Sequence, residues 1–505
     1  MPAAGKMQDI ATYMKAAFTV SASKPSEELL SLDEAVRFLG TSKPTLYRLL
    51  GQDEIKGLKV GRQWRFRRAD LTAYMERGPV AVAAAPKEDL DMELAFFAQQ
   101  LGQDVDGGGD AEAKTGRLAE QILHLAIRSR ASDIHLEPTP GGLLLRLRVD
   151  GVLQETRRLP SGLRESLTAR IKVMADMNPG ETRLPQDGRI PVTHEGREFD
   201  VRVAAVPSVG GEAVTLRVLD RGTVLLGLDR LGLASEDERQ VRDFLGQPSG
   251  VVLAAGPAGS GKTTLLYSCL QEIADVEKKT LTVEDPVEYR MPFTTQTAVN
   301  RKAGLTFPAA LRALLRQDPD ILMVGEMRDG ETAQLGVEAA LTGHLLLSAL
   351  HTPDAPSALL RLVDMGVEPY LVTATVAGVV ATRLARRVCE NCRRPVDLSG
   401  GPTLGYVAGL AAEGGYQVPA DAVFVRGAGC ERCRGRGYFG RVGLYEVLPM
   451  TEPLAEAVLR RAPAEELAAI AVAGGMRTLL ADGVRKAVAG QTTVEEVLRV
   501  ASVSA

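Results

Sequence analysis

The sequence predicts an α/β protein of several domains, centred on an open parallel sheet that carries a phosphate-binding loop. Three observations lead there. A glycine-rich loop at 256–261 lies between an apolar run and a helical stretch. Apolar strand-like runs alternate with helical segments from 223 to about 387, as consecutive βα units require. Upstream, two ribbons alternate with period two. Leu145, Leu147 and Val149 oppose Arg146, Arg148 and Asp150, and Phe199, Val201 and Val203 oppose Asp200 and Arg202. That pattern makes a sheet with one buried face, so an α+β domain over 113–222 is expected ahead of the α/β core at 223–387.

The chain's 505 residues suggest three or four domains. With 45% apolar and 25% charged residues there is material for several cores, and a disordered chain is excluded. A net charge of −4 argues against binding a polyanion by bulk electrostatics. No apolar core follows a basic start, so no secretory signal is expected. The longest apolar-leaning stretch, 370–381, is too short to span a bilayer and is broken by Thr and Gly. The expected location is the cytoplasm, with membrane association only through a partner.

In chain order, residues 1–27 are Ala- and Ser-rich and expected to be loose. Residues 28–78 form a compact unit of short helices and a basic strand pair. Residues 79–112 read as a linker with a short amphipathic helix at 88–102 and an acidic, glycine-rich joint at 104–110. The two domains above follow, and 388–505 carries paired cysteines and then helices.

The segment Gly256-Pro-Ala-Gly-Ser-Gly-Lys-Thr263 fits the pattern GxxxxGK[ST], the P-loop of nucleotide triphosphatases. Val251, Val252 and Leu253 precede it as a buried strand, and Thr264 onward continues as a helix. Gly256, Gly259 and Gly261 let backbone N–H groups close on phosphate oxygens, with Ser260 between them. The helix N-terminus adds positive partial charge around Thr263 and Thr264. Lys262 would reach the terminal phosphates of ATP, and the Thr263 hydroxyl would ligate Mg²⁺. Hydrolysis also needs acids near the γ-phosphate. Glu288 and Glu326 each follow an apolar run, where a carboxylate reaches the crevice of an open parallel sheet.

These motifs carry a resemblance. Glu284-Asp-Pro-Val-Glu288 resembles the aspartate box of type II secretion and type IV pilus assembly ATPases. Gly325-Glu-Met-Arg-Asp329 resembles their Walker B ending, and Thr342-Gly-His-Leu-Leu-Leu-Ser-Ala-Leu-His-Thr352 their histidine box. With the P-loop, four ordered motifs fall within about 100 residues, and the likeness extends over roughly 113–500. The resemblance implies a RecA-like core working as a homo-hexameric motor. It implies that Glu326 organises Mg²⁺ and water, that Glu288 is the general base, and that His351, with His344 a second candidate, couples the nucleotide to the neighbouring subunit. Arg183-Leu-Pro-Gln-Asp-Gly-Arg189, with Arg202, resembles the family's mobile N-terminal motor domain, whose arginines swing onto the nucleotide. Arg312 and Arg316, spaced i, i+4 before the Walker B strand, are further candidates for facing the site.

Cys389-Glu-Asn-Cys392 and Cys430-Glu-Arg-Cys433 are two knuckles that suit a closed tetrahedral Zn²⁺ site of structural type. A redox pair or inert thiols are the alternatives. The family's assembly ATPases carry such a tetracysteine element and its retraction ATPases lack it, so the resemblance tilts toward assembly or export.

The N-terminal region departs from the family's usual helical docking domain. Residues 32–50 read helix, turn, helix, with Ser31 and Glu34 as a capping box. Residues 59–68 read as a basic wing, and 69–75 as a third helix. This resembles the winged helix-turn-helix of excisionase and of the mercury-resistance regulators. It would place Lys43, Thr45, Tyr47 and Arg48 near a major groove and Arg62, Arg65 and Arg67 on phosphates. The same face could instead dock on an inner-membrane platform protein. The functional expectation is an ATP-driven ring motor for pilus assembly or type II secretion, peripheral at the inner membrane. A DNA-transport motor or an ATP-switched DNA-binding regulator is the alternative.

Overall fold

The computed structural model of the protein describes residues 29–39, 57–60, 63–68, 71, 110–220, 226–398 and 402–501. The chain divides into two compact units, one of them N-terminal.

In the N-terminal unit, strands β1 (Leu29–Ser31), β2 (Gly57–Val60) and β3 (Gln63–Arg67) form a sheet in the order β1-β3-β2. The hairpin β2–β3 is the expected wing. Strand β1 has no alternation long enough to be foreseen. The helix Leu32–Leu39 opens with the expected capping box: Ser31 N–H donates to Glu34 Oε2 at 2.7 Å, and Glu34 N–H to Ser31 Oγ at 3.4 Å. Phe66, Ala35 and Leu71 are buried. Lys43, Thr45, Tyr47, Arg48 and Arg62 lie outside the described residues. Arg65 and Arg67 lie on β3, half-buried.

In the second unit the first described element is the helix Asp110–Arg128, which begins within the stretch 79–112 that the sequence reads as a linker. An antiparallel sheet follows, of β4 (Ala131–Thr139), β5 (Gly142–Val149), β6 (Val152–Leu159), β7 (Gln186–His194), β8 (Arg197–Ser208) and β9 (Gly211–Asp220), in the order β6-β5-β4-β9-β8-β7. Its apolar face packs on the helices Asp110–Arg128 and Arg164–Met174, with Leu118, Ile122, Leu145, Leu147, Leu167 and Val201 in one core. The period-two alternation is realised, so the opposite face carries charge. Arg189, Arg202 and Arg217 face one another across β7, β8 and β9.

The second sheet holds β10 (Gly250–Ala255), β11 (Thr280–Glu284), β12 (Thr294–Ala298), β13 (Ile321–Val324), β14 (Leu345–Leu350) and β15 (Val376–Val388). After β16 (Arg393–Val396) and β17 (Phe424–Gly427) comes β18 (Tyr438–Pro449). The order is β12-β11-β13-β14-β10-β15-β18. All neighbours are parallel except β15 and β18. The sheet thus draws its last strand from beyond the cysteine pairs. β10, β13 and β14 are buried throughout, as strands covered on both faces must be. Glu446 on β18 is buried, and its carboxylate accepts N–H groups from Ala355 at 2.9 Å and Leu479 at 3.0 Å, the first residues of two helices. No helix among the described residues is long and apolar enough to cross a membrane.

Candidate functional site

Because β10, β11, β13 and β14 are parallel, their C-terminal ends share one edge, the place where open α/β sheets bind ligands. The phosphate loop leaves β10, Glu284 ends β11, Glu326 follows β13 and His351 follows β14. β14 lies between β10 and β13, so His351 falls between the loop and Glu326.

Gly256 has φ +148°, and a Cβ there would stand 2.4 Å from Ser260 Oγ and 2.7 Å from the Thr382 carbonyl oxygen. Gly261, at φ +105°, caps the helix Lys262–Ile273. Both positions need glycine on physical grounds. The Lys262 ammonium donates to the carbonyls of Gly256 at 2.6 Å and Pro257 at 2.8 Å and lies 3.5 Å from His351 Nδ1. Ser260 Oγ is buried without a partner among the described residues, while Thr263 and Thr264 are exposed at the helix start. An orphaned hydroxyl, a loop shaped for close approach and a buried ammonium fit a nucleotide phosphate chain, with Thr263 placed to reach Mg²⁺.

Glu326 is gripped from two sides, by His351 Nε2 at 2.8 Å and Arg328 at 2.5 Å. Burial alone would raise its carboxyl, but the hydrogen bonds from Arg328 and His351 outweigh it and hold the group below the usual carboxylate range. It therefore stays ionised. Arg383, on β15, donates to the Pro353 carbonyl at 2.7 Å, and burial lowers this guanidinium from its ordinary value.

Glu288 lies in the turn after β11 and pairs with Arg202 of the antiparallel sheet at 3.3 Å. Arg189, Arg202 and Arg217 line a cleft of about 720 Å³ against Asp285 and Pro286, so the two sheets of this unit meet over the aspartate box. Arg183 does not join them; it is exposed and held by Glu181 at 2.7 Å. Arg312 is paired with Glu331 at 2.5 Å, and Arg316 donates to the Arg312 carbonyl at 2.9 Å; neither contact involves a residue of the phosphate loop. His344 precedes β14, at the opposite end from His351, and its Nδ1 lies 2.8 Å from the Ala339 carbonyl oxygen. The structure thus separates the two histidines that the motif presents together.

The four cysteine sulfurs lie within 4.8 Å of one another. Cys389–Cys430 and Cys392–Cys433 are each 3.8 Å apart, and Cys430–Cys433 3.7 Å. Thiolates about 2.3 Å from a tetrahedral zinc stand about 3.8 Å apart, so the set fits Zn²⁺ and leaves no open position. N–H groups of Cys430 and Gly437 donate to the Cys433 sulfur at 3.2 Å. Such bonds orient and stabilise metal-bound thiolates.

Sequence reasoning missed Arg328, Arg383 and the buried tyrosine Tyr267. Arg328 lay inside a motif already singled out. The other two are recognisable only once strands and helices are packed.

Fold and site together define a P-loop ATPase. The family model for "Type II/IV secretion system protein" matches residues 110–499, and the chain belongs to that family. A helix-turn-helix domain model matches residues 29–79. Type II secretion system protein E of Pseudomonas aeruginosa is 41% identical over 95% of this chain and 91% of its own length. The type IV pilus assembly ATPase PilB of Myxococcus xanthus is 42% identical over 84% of this chain and 74% of its own. The Legionella pneumophila ATPase DotB superposes with a TM-score of 0.55 at 22% identity, covering 75% of this chain and 93% of that one, a likeness of fold.

Proposed function

We propose that this ATPase is a homo-hexameric motor, peripheral at the cytoplasmic face of the inner membrane, that powers type IV pilus assembly or type II secretion. The observation that carries it is the juxtaposition of Lys262, Glu326 and His351 on one sheet edge with the Arg202–Glu288 pair opposite. A static binding fold has no need of two acids and a movable arginine. The named relatives, a type II secretion system protein and a type IV pilus assembly ATPase, support the cargo class, and a platform protein in the membrane is the expected partner.

Each residue has a part in this reading. Lys262 and the loop amides hold the phosphates. Bound Mg²⁺ supplies charge neutralisation at the terminal phosphate. Glu326 orients the hydrated end of the site and is itself oriented by Arg328 and His351. Glu288 takes the proton of the attacking water once Arg202 leaves it for the phosphate. Arg189 accompanies Arg202, and Arg312 and Arg316, which make no contact with their own loop's residues in these pairings, serve a neighbouring subunit.

The test is steady-state hydrolysis. Mg²⁺-dependent ATPase activity per chain should rise with protein concentration, because subunits complete one another's sites. Lys262→Ala should lose nucleotide affinity, and Glu326→Gln should keep ATP bound while losing turnover. Wild-type hydrolysis by Glu326→Gln would refute the assignment.

The helix-turn-helix match at 29–79 favours a second reading for that unit, duplex DNA binding. Selection of one sequence by the full chain from a random duplex pool would establish it. Unselective binding that vanishes near physiological salt would leave protein docking as the better account.

A further inference from the structure

We propose that Tyr267 is a positioning residue for hydrolysis, whose phenolic oxygen fixes the turn carrying Glu288 to the phosphate-binding helix. The inference rests on the reading of Glu288 as the water-activating base.

Tyr267 lies on the helix Lys262–Ile273, five residues beyond the phosphate-loop lysine, and its side chain is 1% exposed. A buried phenol needs hydrogen-bond partners. This one has four. Its hydroxyl donates to the buried carboxylate of Glu284 at the end of β11. The oxygen accepts the backbone N–H groups of Glu288 at 3.3 Å and Tyr289 at 3.4 Å, and Gln296 Nε2 approaches at 3.5 Å. Burial, reinforced by Glu284, pushes the phenol above its ordinary value, so it remains a donor.

Two of those contacts hold backbone N–H groups that no helix or strand ladder satisfies. The turn after β11 has no regular structure, so an outside acceptor must fix it. Gln296 of β12 grips the other side: it donates to the Tyr289 carbonyl at 2.9 Å and accepts the Met291 N–H at 2.8 Å. It also donates to Glu284 at 3.1 Å, which accepts the Thr282 hydroxyl at 2.6 Å. The turn is thereby clamped between β12 and the helix that opens with Lys262. Through one oxygen, the Glu288 backbone is referenced to the element that holds the phosphates. A misplacement of about 1 Å in a catalytic group costs about 100-fold in rate, so a clamp of this kind bears on kcat.

The experiment compares the full-length wild type with Tyr267→Phe, Glu288→Gln and the double variant. Tyr267→Phe removes one oxygen and keeps the ring. Its kcat should fall about 10- to 100-fold, with KM for ATP and ADP affinity within about twofold. Amide exchange at Glu288 and Tyr289 should accelerate, and the double variant should be no slower than Glu288→Gln. Gln296→Leu should show the same split of kcat from KM. A Tyr267→Phe enzyme at wild-type kcat beside a slow Glu288→Gln would overturn this inference alone, as would losses that multiply in the double variant. Wild-type turnover by Glu288→Gln would overturn the base assignment and this inference with it.

Discussion

Arg202 and Glu288 form an ion pair at 3.3 Å that joins the antiparallel sheet to the turn after β11. Each partner is about a quarter exposed, and Arg202 Nε is buried without a partner among the described residues. The guanidinium thus has one unspent donor while two others engage the carboxylate. A phosphate can compete for such a group, since charge-assisted forks to phosphate and carboxylate are alike in strength.

Arg202→Gln is therefore expected to lower kcat about 100-fold, the size of loss that follows removal of one transition-state donor. ADP affinity should change little. Steady-state hydrolysis with a fluorescent ADP titration checks both, and unchanged kcat would remove Arg202 from the mechanism.

Lys262 is expected to make nucleotide binding pH-dependent. Burial pushes its ammonium down to about 8, with Glu326 opposing that fall and Arg383 adding to it. A depressed value means the free protein loses the charge as pH rises through 8, whereas the phosphate-bound form keeps it. ATP dissociation constants should weaken by up to about tenfold per unit between roughly pH 8 and 10. Lys262→Arg, charged throughout, should flatten that limb in calorimetric titrations.

Glu446 affects stability in a different window. Burial pushes its carboxyl up to about 7, the N–H groups of Ala355 and Leu479 only partly opposing. A raised folded-state value stabilises below the unfolded value of about 4.3 and loses that contribution as pH climbs through 7. Thermal midpoints should decline between pH 5 and 7.5 by on the order of 5 °C more in the wild type than in Glu446→Gln. Parallel curves for the two proteins would contradict this.

One zinc per chain is expected by metal analysis of the pure protein. Cys430→Ser or a strong chelator should lower the melting temperature of the C-terminal region while ATP affinity at 256–263 stays within about twofold. Well under one equivalent of zinc would count against the site.

What was legible in the sequence was what chemistry writes locally. The phosphate loop, the acids behind apolar strands, the capping box of Ser31 and Glu34 and the two cysteine knuckles are short-range patterns, and each is present in the structure. The spacing of Arg312 and Arg316 suggested one helical face, but the helix ends at Leu314 and Arg316 falls in a 3₁₀ turn. Periodicity does not report where a helix tightens. The histidine box placed His344 and His351 seven positions apart without saying that a strand of six residues, about 20 Å long, separates them. In the sequence Tyr267 is one aromatic residue within the helical stretch that follows the phosphate loop. Its partners come from three other segments, which no local window contains.

The pairing of β15 with β18 runs from Gly378 opposite Pro449 to Val388 opposite Tyr438. Seen this way the zinc-binding segment is an elaborated hairpin loop on the rim of the nucleotide sheet. Its two ends are held together by the ladder itself, so ordering it adds little closure entropy. Too short to bury a core of its own, it borrows rigidity from four sulfur–metal bonds. A module attached in this manner can be lengthened, trimmed or exchanged in evolution while the strands that lead to Lys262 and Glu326 remain in register.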